Sequence, residues 1–104
     1  MIISKKNYKN KELKIFFSKS FKDLRGELWT SWDYKIIKKK FNHDKFSYSK
    51  KNVLRGFHGD KKTWKLITCV FGKILFVVVN FDPKSKKYLK HQSFILSDKN
   101  KKSI

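Results

Sequence analysis

A chain of 104 residues makes at most one small domain with a modest core. Its 39% hydrophobic and 16% aromatic content excludes a disordered chain, and one proline and four glycines exclude a linker. A net charge of +19 points to an anionic partner, yet of 27 basic residues only Arg25 and Arg55 are arginine, which disfavours a nucleic-acid reader built on the arginine fork.

The first twelve residues are polar and lysine-rich, with Ile2 and Ile3 as a weak strand start. Leu13 to Phe17 reads as a short strand. Phe21 to Gly26 is turn-like: Asp23 can close a local side-chain bond and Gly26 tolerates positive φ. Glu27 to Trp32 is strand-like. Asp33 to Phe41 is the one helix candidate, with Tyr34, Ile37 and Phe41 at helical spacing and Asp33 as N-cap.

Asn42 to Ser49 alternates with Phe46 and Tyr48 on one parity and is read as a strand. Ser49 to Asn52 is a turn, Val53 to His58 the next strand and Asp60 to Lys62 a loop. Trp64 to Val70 is a strand, and Phe71-Gly72 reverses the chain into Ile74 to Phe81, a strand apolar on both faces. That pattern suits the inside of a sandwich or a subunit interface. Asp82 to Lys87 is a turn, Tyr88 to Ser97 a final strand, and the remainder is polar and lysine-rich. Short strands spaced by turns predict an all-β sandwich, barrel or jelly roll in a single domain over 1–104. The stretches 1–12 and 98–104 are expected to be flexible ends.

No GxGxxG, P-loop, CxxC or HExxH motif occurs. Cys69 stands alone, so no internal disulfide forms, and it is read as a small buried hydrophobe in a reducing compartment. The three histidines, His43, His58 and His91, are scattered, so neither a metal nor a cofactor is expected. The N-terminus has no apolar signal-peptide core and no run is long enough to span a membrane. The expected location is therefore cytoplasmic. Lys65, Ile67 and Cys69 share one parity of their strand. An inward lysine there would need an anion or a developing negative charge beside it, whereas an outward one is a solvated surface lysine. Arg55 and His58 fall on opposite faces of a regular strand, and a bulge at Gly56 would bring both into one pocket.

The strings FKDLRGELW, NHDKFSYSKKNV, LRGFHG, KLITCVFGKI and VVVNFDPKSKKYLK, in that order, resemble the dTDP-4-dehydrorhamnose 3,5-epimerase family. That family reads approximately F-x-D-x-R-G, Q-D-N-x-S-x-S, L-R-G-L-H, K-L-V-x-C-V-x-G-E-I and D-V-A-V-D. The resemblance runs from about Phe21 to Asn100, and the HDKF and HGD variants look closer to the branch acting on GDP-linked heptoses. It implies a metal-free cupin jelly roll, usually dimeric, acting on a nucleotide-linked 4-keto sugar for surface polysaccharide. By matched position His58 would be the base that removes the proton next to the ketone, and Lys65 would stabilise the enolate. Arg25 and Arg55 would hold the diphosphate. His43 and Lys45 stand at the family's nucleotide-contacting Gln and Asn.

Several positions depart from the pattern. Thr30 stands where a carboxylate is usual, Phe76 and Asn80 replace the two aspartates of D-V-A-V-D, and Gly59 and Asp60 follow the catalytic histidine in place of Tyr and Gln. The family's general-acid tyrosine lies beyond the matched motifs, and none of Tyr8, Tyr34, Tyr48 or Tyr88 corresponds to it. The resemblance thus predicts a C-terminally truncated jelly roll, completed by a homodimer partner or by a complementing C-terminal polypeptide. By family the chain is expected to be an isomerase, a 3,5-epimerase; with the general-acid half missing, the expectation extends to proton exchange without inversion or to no activity. Two alternatives stand beside it: a non-catalytic sugar-nucleotide-binding or assembly subunit, and a lysine-rich nucleic-acid-binding β module.

Overall fold

The computed structural model describes the backbone of residues 2–7 and all of residues 13–104. In chain order the elements are β1 (Ile2–Asn7), β2 (Lys14–Ser18), β3 (Ser20–Asp23), β4 (Gly26–Trp29), α1 (Tyr34–Ile37), β5 (Lys73–Val79), β6 (His91–Ser97) and β7 (Lys102–Ser103). They form three separate sheets, ordered β1-β2-β7, β3-β4 and β5-β6. The expected flexible stretch 1–12 lies partly outside the described residues.

Strand β2 is the centre of the molecule because both of its faces are apolar. Leu13 and Ile15 point into a core shared with Cys69, Leu96 and Ile104, with Phe17, Ile67, Phe76, Val78 and Phe94 packed around it. Phe16, on the other face, is buried against Ile37 of α1, next to Ile36, Phe41 and Leu66. The period-2 alternation of a strand accounts for this split. On its two edges β2 pairs antiparallel with β1, from Asn7↔Lys14 to Ile2↔Ser18, and with β7 through Phe16↔Ser103 and Phe17↔Lys102.

The β3–β4 hairpin turns through Leu24 and Arg25. The Asp23 carboxylate accepts the Arg25 N–H at 2.8 Å and Gly26 takes φ 139°, both as the sequence implies. Helix α1 is shorter than the expected Asp33–Phe41. Asp33 caps it by accepting the Lys35 N–H at 2.8 Å. Lys38 then adopts the left-handed conformation (φ 61°) and donates its N–H to Tyr34 O at 2.9 Å, which stops the helix after one turn.

The β5–β6 hairpin runs in register from Lys73↔Ser97 to Val79↔His91. One face sends Phe76, Val78, Phe94 and Leu96 into the core; the other carries the opposed pair Leu75 and Ile95 into solvent. The strand apolar on both faces is therefore half covered. Asn80 closes the long end of the hairpin, its Oδ1 accepting the Asp82 N–H at 3.0 Å and its Nδ2 reaching Ser85 Oγ at 3.2 Å. At the other end Gly72, at φ 78°, donates to the Asp98 carboxylate and accepts the Asp98 N–H, each at 3.1 Å.

Residues 98–104 close the fold. Asn100 Oδ1 accepts the Ser97 and Lys102 N–H groups and its Nδ2 donates to Ile95 O at 2.8 Å. Ile104 is then delivered to the core, which a polar, lysine-rich string does not advertise.

The expected jelly roll is not what forms. Among the described residues no sheet closes on itself, and the middle of the chain supplies no strand between α1 and β5. The predicted strands at Asn42–Ser49 and Val53–His58 are irregular, and every residue from 42 to 65 is exposed. Trp64–Val70 contributes a single bridge, Thr68 to Ser103. The reason is pairing: a strand is held by a neighbour that takes up its N–H and C=O groups, and closing a small barrel takes about eight such strands. The outcome is an open surface. The chain exposes 9435 Å², against about 6,200 Å² for a compact monomer of its mass. Its radius of gyration is 14.8 Å, against about 13 Å for a chain of this length.

Candidate active site

The residues singled out in the sequence lie on two structures: the β3–β4 turn and the irregular stretch leading up to Leu66. Arg25 sits at the tip of the hairpin. Its Nη2 is 2.6 Å and its Nε 3.1 Å from Asp23 Oδ2. The guanidinium holds the Asp23 carboxyl below its usual range, and Asp23 in turn raises the Arg25 guanidinium. Both side chains are exposed, so the pair orients the arginine more than it stabilises the fold.

Arg55 is oriented by its own neighbourhood. Nε donates to Ser49 Oγ at 2.8 Å and Nη2 to Tyr48 O at 3.2 Å. These bonds bridge the turn at Asn52, which takes φ 65°. They consume one edge of the guanidinium and leave the rest facing solvent, where a phosphate oxygen could dock.

Gly56, at φ 113°, takes the chain out of extended conformation between Arg55 and His58. The regular strand that would have put the two on opposite faces is therefore absent. His58 is exposed, and two residues on Asp60 organises the loop. Its Oδ1 accepts the N–H groups of Lys62 and Thr63, at 2.8 and 2.6 Å, and its Oδ2 the Thr63 hydroxyl at 2.7 Å. These bonds, the Thr63 hydroxyl first, keep the Asp60 carboxyl below its ordinary range, and the positive charge of Lys65 adds to the effect. The loop thus gathers an imidazole, an ionised carboxylate and an ammonium within eight residues.

Lys65 is exposed, while Cys69 on the same parity is buried. It stands at the rim of a shallow cavity of about 80 Å³ lined by apolar side chains including Phe16, Ile37, Phe41 and Leu66. Trp64 borders the same cavity, with the Lys39 ammonium 3.9 Å from its ring centre. His43 and Lys45 are exposed in the irregular stretch and make no hydrogen bond or ion pair among the described residues. Cys69 donates its S–H to Phe71 O at 3.3 Å inside the core, a structural role. Among the described residues no cluster of three metal-ligating side chains occurs, and no helix is long and apolar enough to cross a membrane.

His58, Asp60 and Lys65 lie along one irregular stretch of chain, and Arg25 lies on a separate hairpin, paired with Asp23. Sequence reasoning passed over Asp60 as a loop residue, although an aspartate followed three residues later by threonine is a recognisable turn-closing pattern. It also passed over Lys101, whose contacts lie far away in sequence and leave no local trace.

Comparison with known proteins agrees with the family resemblance. The family model for dTDP-4-dehydrorhamnose 3,5-epimerase matches residues 7–104. The dTDP-4-dehydrorhamnose 3,5-epimerase of Shigella flexneri is 33% identical over 99 residues, covering 86% of this chain and 55% of that protein. The Salmonella typhimurium protein of the same description is 33% identical over 95 residues, covering 83% and 52%. The chain thus spans little more than half the length of these relatives. Open as its sheets are, its backbone superposes on solved structures. It matches the dTDP-6-deoxy-D-glucose-3,5-epimerase of Legionella pneumophila, in complex with dTDP-4-keto-L-rhamnose, with a TM-score of 0.82 and 29% identity, over 96% of this chain and 57% of that one. It matches the Bacillus anthracis dTDP-4-dehydrorhamnose 3,5-epimerase, with TDP and PPi bound, with a TM-score of 0.79 and 25% identity, over 96% and 63%. On the family model's match to nearly the whole sequence, the chain belongs to the dTDP-4-dehydrorhamnose 3,5-epimerase family.

Proposed function

We propose that this chain takes part in 3,5-epimerisation of a nucleotide-linked 4-keto sugar, with His58 removing the proton next to the ketone. The observation that carries the reading is the superposition of 96% of the chain on a family member captured with dTDP-4-keto-L-rhamnose. The exposed His58 and Lys65, on the irregular stretch that Asp60 folds through Lys62 and Thr63, are consistent with it. So are the two arginines, each oriented by neighbours with part of its guanidinium left for an anion.

The chemistry follows from the acidity of a C–H bond beside a carbonyl. His58 takes the proton, and the electron pair of the broken bond passes through the adjacent carbon to the ketone oxygen. The Lys65 ammonium stabilises the enolate formed there. Arg25 and Arg55 hold the diphosphate, and His43 and Lys45 contact the nucleotide. Return of a proton from the same histidine gives exchange with solvent and no inversion; inversion needs an acid on the opposite face. The exposed pair Leu75 and Ile95 fits a second copy or a partner polypeptide packing on that face, which could bring such an acid.

The test is incubation with a dTDP-linked 4-keto-6-deoxy sugar in deuterated water, reading label beside the ketone by NMR. Label that disappears in His58→Ala and falls about a hundredfold in Lys65→Met is the expected result. Absence of label with the wild-type chain, or equal labelling by His58→Ala, sinks the catalytic assignment. Binding of the sugar nucleotide that is lost in Arg25→Ala and Arg55→Ala, with no exchange at any pH, would leave a non-catalytic binding subunit.

A further inference from the structure

Lys101 is the one lysine of the described core. Its side chain is 8% exposed, in a chain whose other described lysines lie at or near the surface. Its ammonium is 3.1 Å from both oxygens of the Glu27 carboxylate and donates to Asp98 O at 2.8 Å. The same ammonium lies 4.7 Å from the ring centre of Trp29. Glu27 and Trp29 both belong to β4, 74 and 72 positions away in sequence, whereas Asp98 and Lys101 belong to the turn between β6 and β7. The contact therefore ties the β3–β4 hairpin to the core of the molecule.

That hairpin has few other attachments. Its two strands form a sheet by themselves, and Phe21, Leu24 and Leu28 along it are all exposed. The Ser18 hydroxyl holds Thr30 O at 2.7 Å at its base, and Lys101 holds its second strand. Two and four residues before the pair that Lys101 grips stands Arg25.

We infer that Lys101 is a positioning residue for Arg25: by gripping Glu27 and Trp29 it fixes the angle of the hairpin and so the place of the guanidinium at its tip. This rests on the reading of Arg25 as a diphosphate contact. A buried ammonium with a single carboxylate partner is an expensive way to pack a surface hairpin. Its specific return is orientation: a hairpin free to swing would present Arg25 over a range of positions, and a phosphate contact misplaced by an ångström loses much of its value. Glu27 is held ionised by the same contact, its carboxyl lowered first by the hydrogen bond from Lys101 and then by that from Ser20.

The experiment is titration of thymidine 5′-diphosphate into the full chain by calorimetry, with Lys101→Met, Arg25→Ala, Arg55→Ala and the doubles. Methionine keeps the apolar stem over Trp29 and leaves Glu27 in contact with water. The expected result is a loss of roughly tenfold in affinity for Lys101→Met. That loss vanishes in the Arg25→Ala background and persists in full in the Arg55→Ala background, a selectivity that general loosening of the fold would not produce. Unchanged affinity, or a loss that adds in full to that of Arg25→Ala, overturns the inference. Should Lys101→Met not fold, Glu27→Ala removes the same contact from the solvent side and carries the same comparison. If the wild-type chain does not bind the diphosphate at all, the ligand reading falls. Hydrogen exchange then decides the clamp: faster exchange in Lys101→Met confined to amides 20–29 upholds it, and unchanged exchange there refutes it.

Discussion

Ile67 and Ile104 exchange both of their backbone hydrogen bonds, Ile67 N–H to Ile104 O at 2.8 Å and Ile104 N–H to Ile67 O at 3.0 Å. Beside them the hydroxyls of Thr68 and Ser103 meet at 2.7 Å. Four residues at the end of the chain thus cover the segment that carries Cys69. Deleting residues 101–104 should cost about 3–5 kcal/mol, from a lost isoleucine in the core and two or more backbone bonds. Reaction of Cys69 with an aromatic disulfide reagent reads the change: slow in the intact chain, fast in the deletion. Equal rates in the two would mean that the C-terminal strand does not shield the core.

Leu96 and Leu75 sit on facing strands of one hairpin and should respond to truncation very differently. Leu96 is fully buried at the centre of the core, whereas Leu75 is mostly in solvent. Leu96→Ala is expected to lose about 2–5 kcal/mol in urea unfolding. Leu75→Ala should stay within about 0.5 kcal/mol. A similar large loss for both would show that Leu75 is covered in solution.

The loop after His58 should be sensitive to acid in one direction. The Asp60 carboxyl is lowered in the folded chain by the bonds it accepts from Thr63 and Lys62. A depressed folded value means that the stabilisation is present above the unfolded carboxylate value, near 3.8, and is lost as pH falls through the lower folded one. Amide resonances of Lys62 and Thr63, followed by NMR, should therefore hold steady from neutral pH to about 4 and move only below it. In Asp60→Asn the movement should vanish. A transition above the ordinary carboxylate range would contradict the geometry.

Local chemistry made part of this fold readable. The Asp23–Gly26 turn, the Asp33 cap and the β5–β6 hairpin each rest on neighbours in sequence, and each forms about where the pattern places it. The alternation of Phe46 and Tyr48 misled because alternation reports what a strand would bury, not whether a partner strand is there to pair with it. In this chain both side chains are exposed and the backbone is unpaired with any sheet. Helix α1 was placed correctly but overrun, since nothing in Lys38 announces a left-handed residue. The roles proposed for the arginines and His58 rest on motif order, not on any local pattern. The contact of Lys101 with Glu27 was not legible at all, because it joins residues 74 positions apart that no local pattern connects.

The bare pair Leu75 and Ile95 sets terms for how molecules of this protein meet one another. At low ionic strength each carries a net charge of +19, and repulsion between like molecules reaches farther than the short-range attraction of two apolar faces. Added salt shortens that reach from about 30 Å at 0.01 M to about 3 Å at 1 M. The lysines thus act as a dispersant for a surface that would otherwise be sticky. Contact between molecules through such exposed apolar side chains is therefore expected to increase as salt is added.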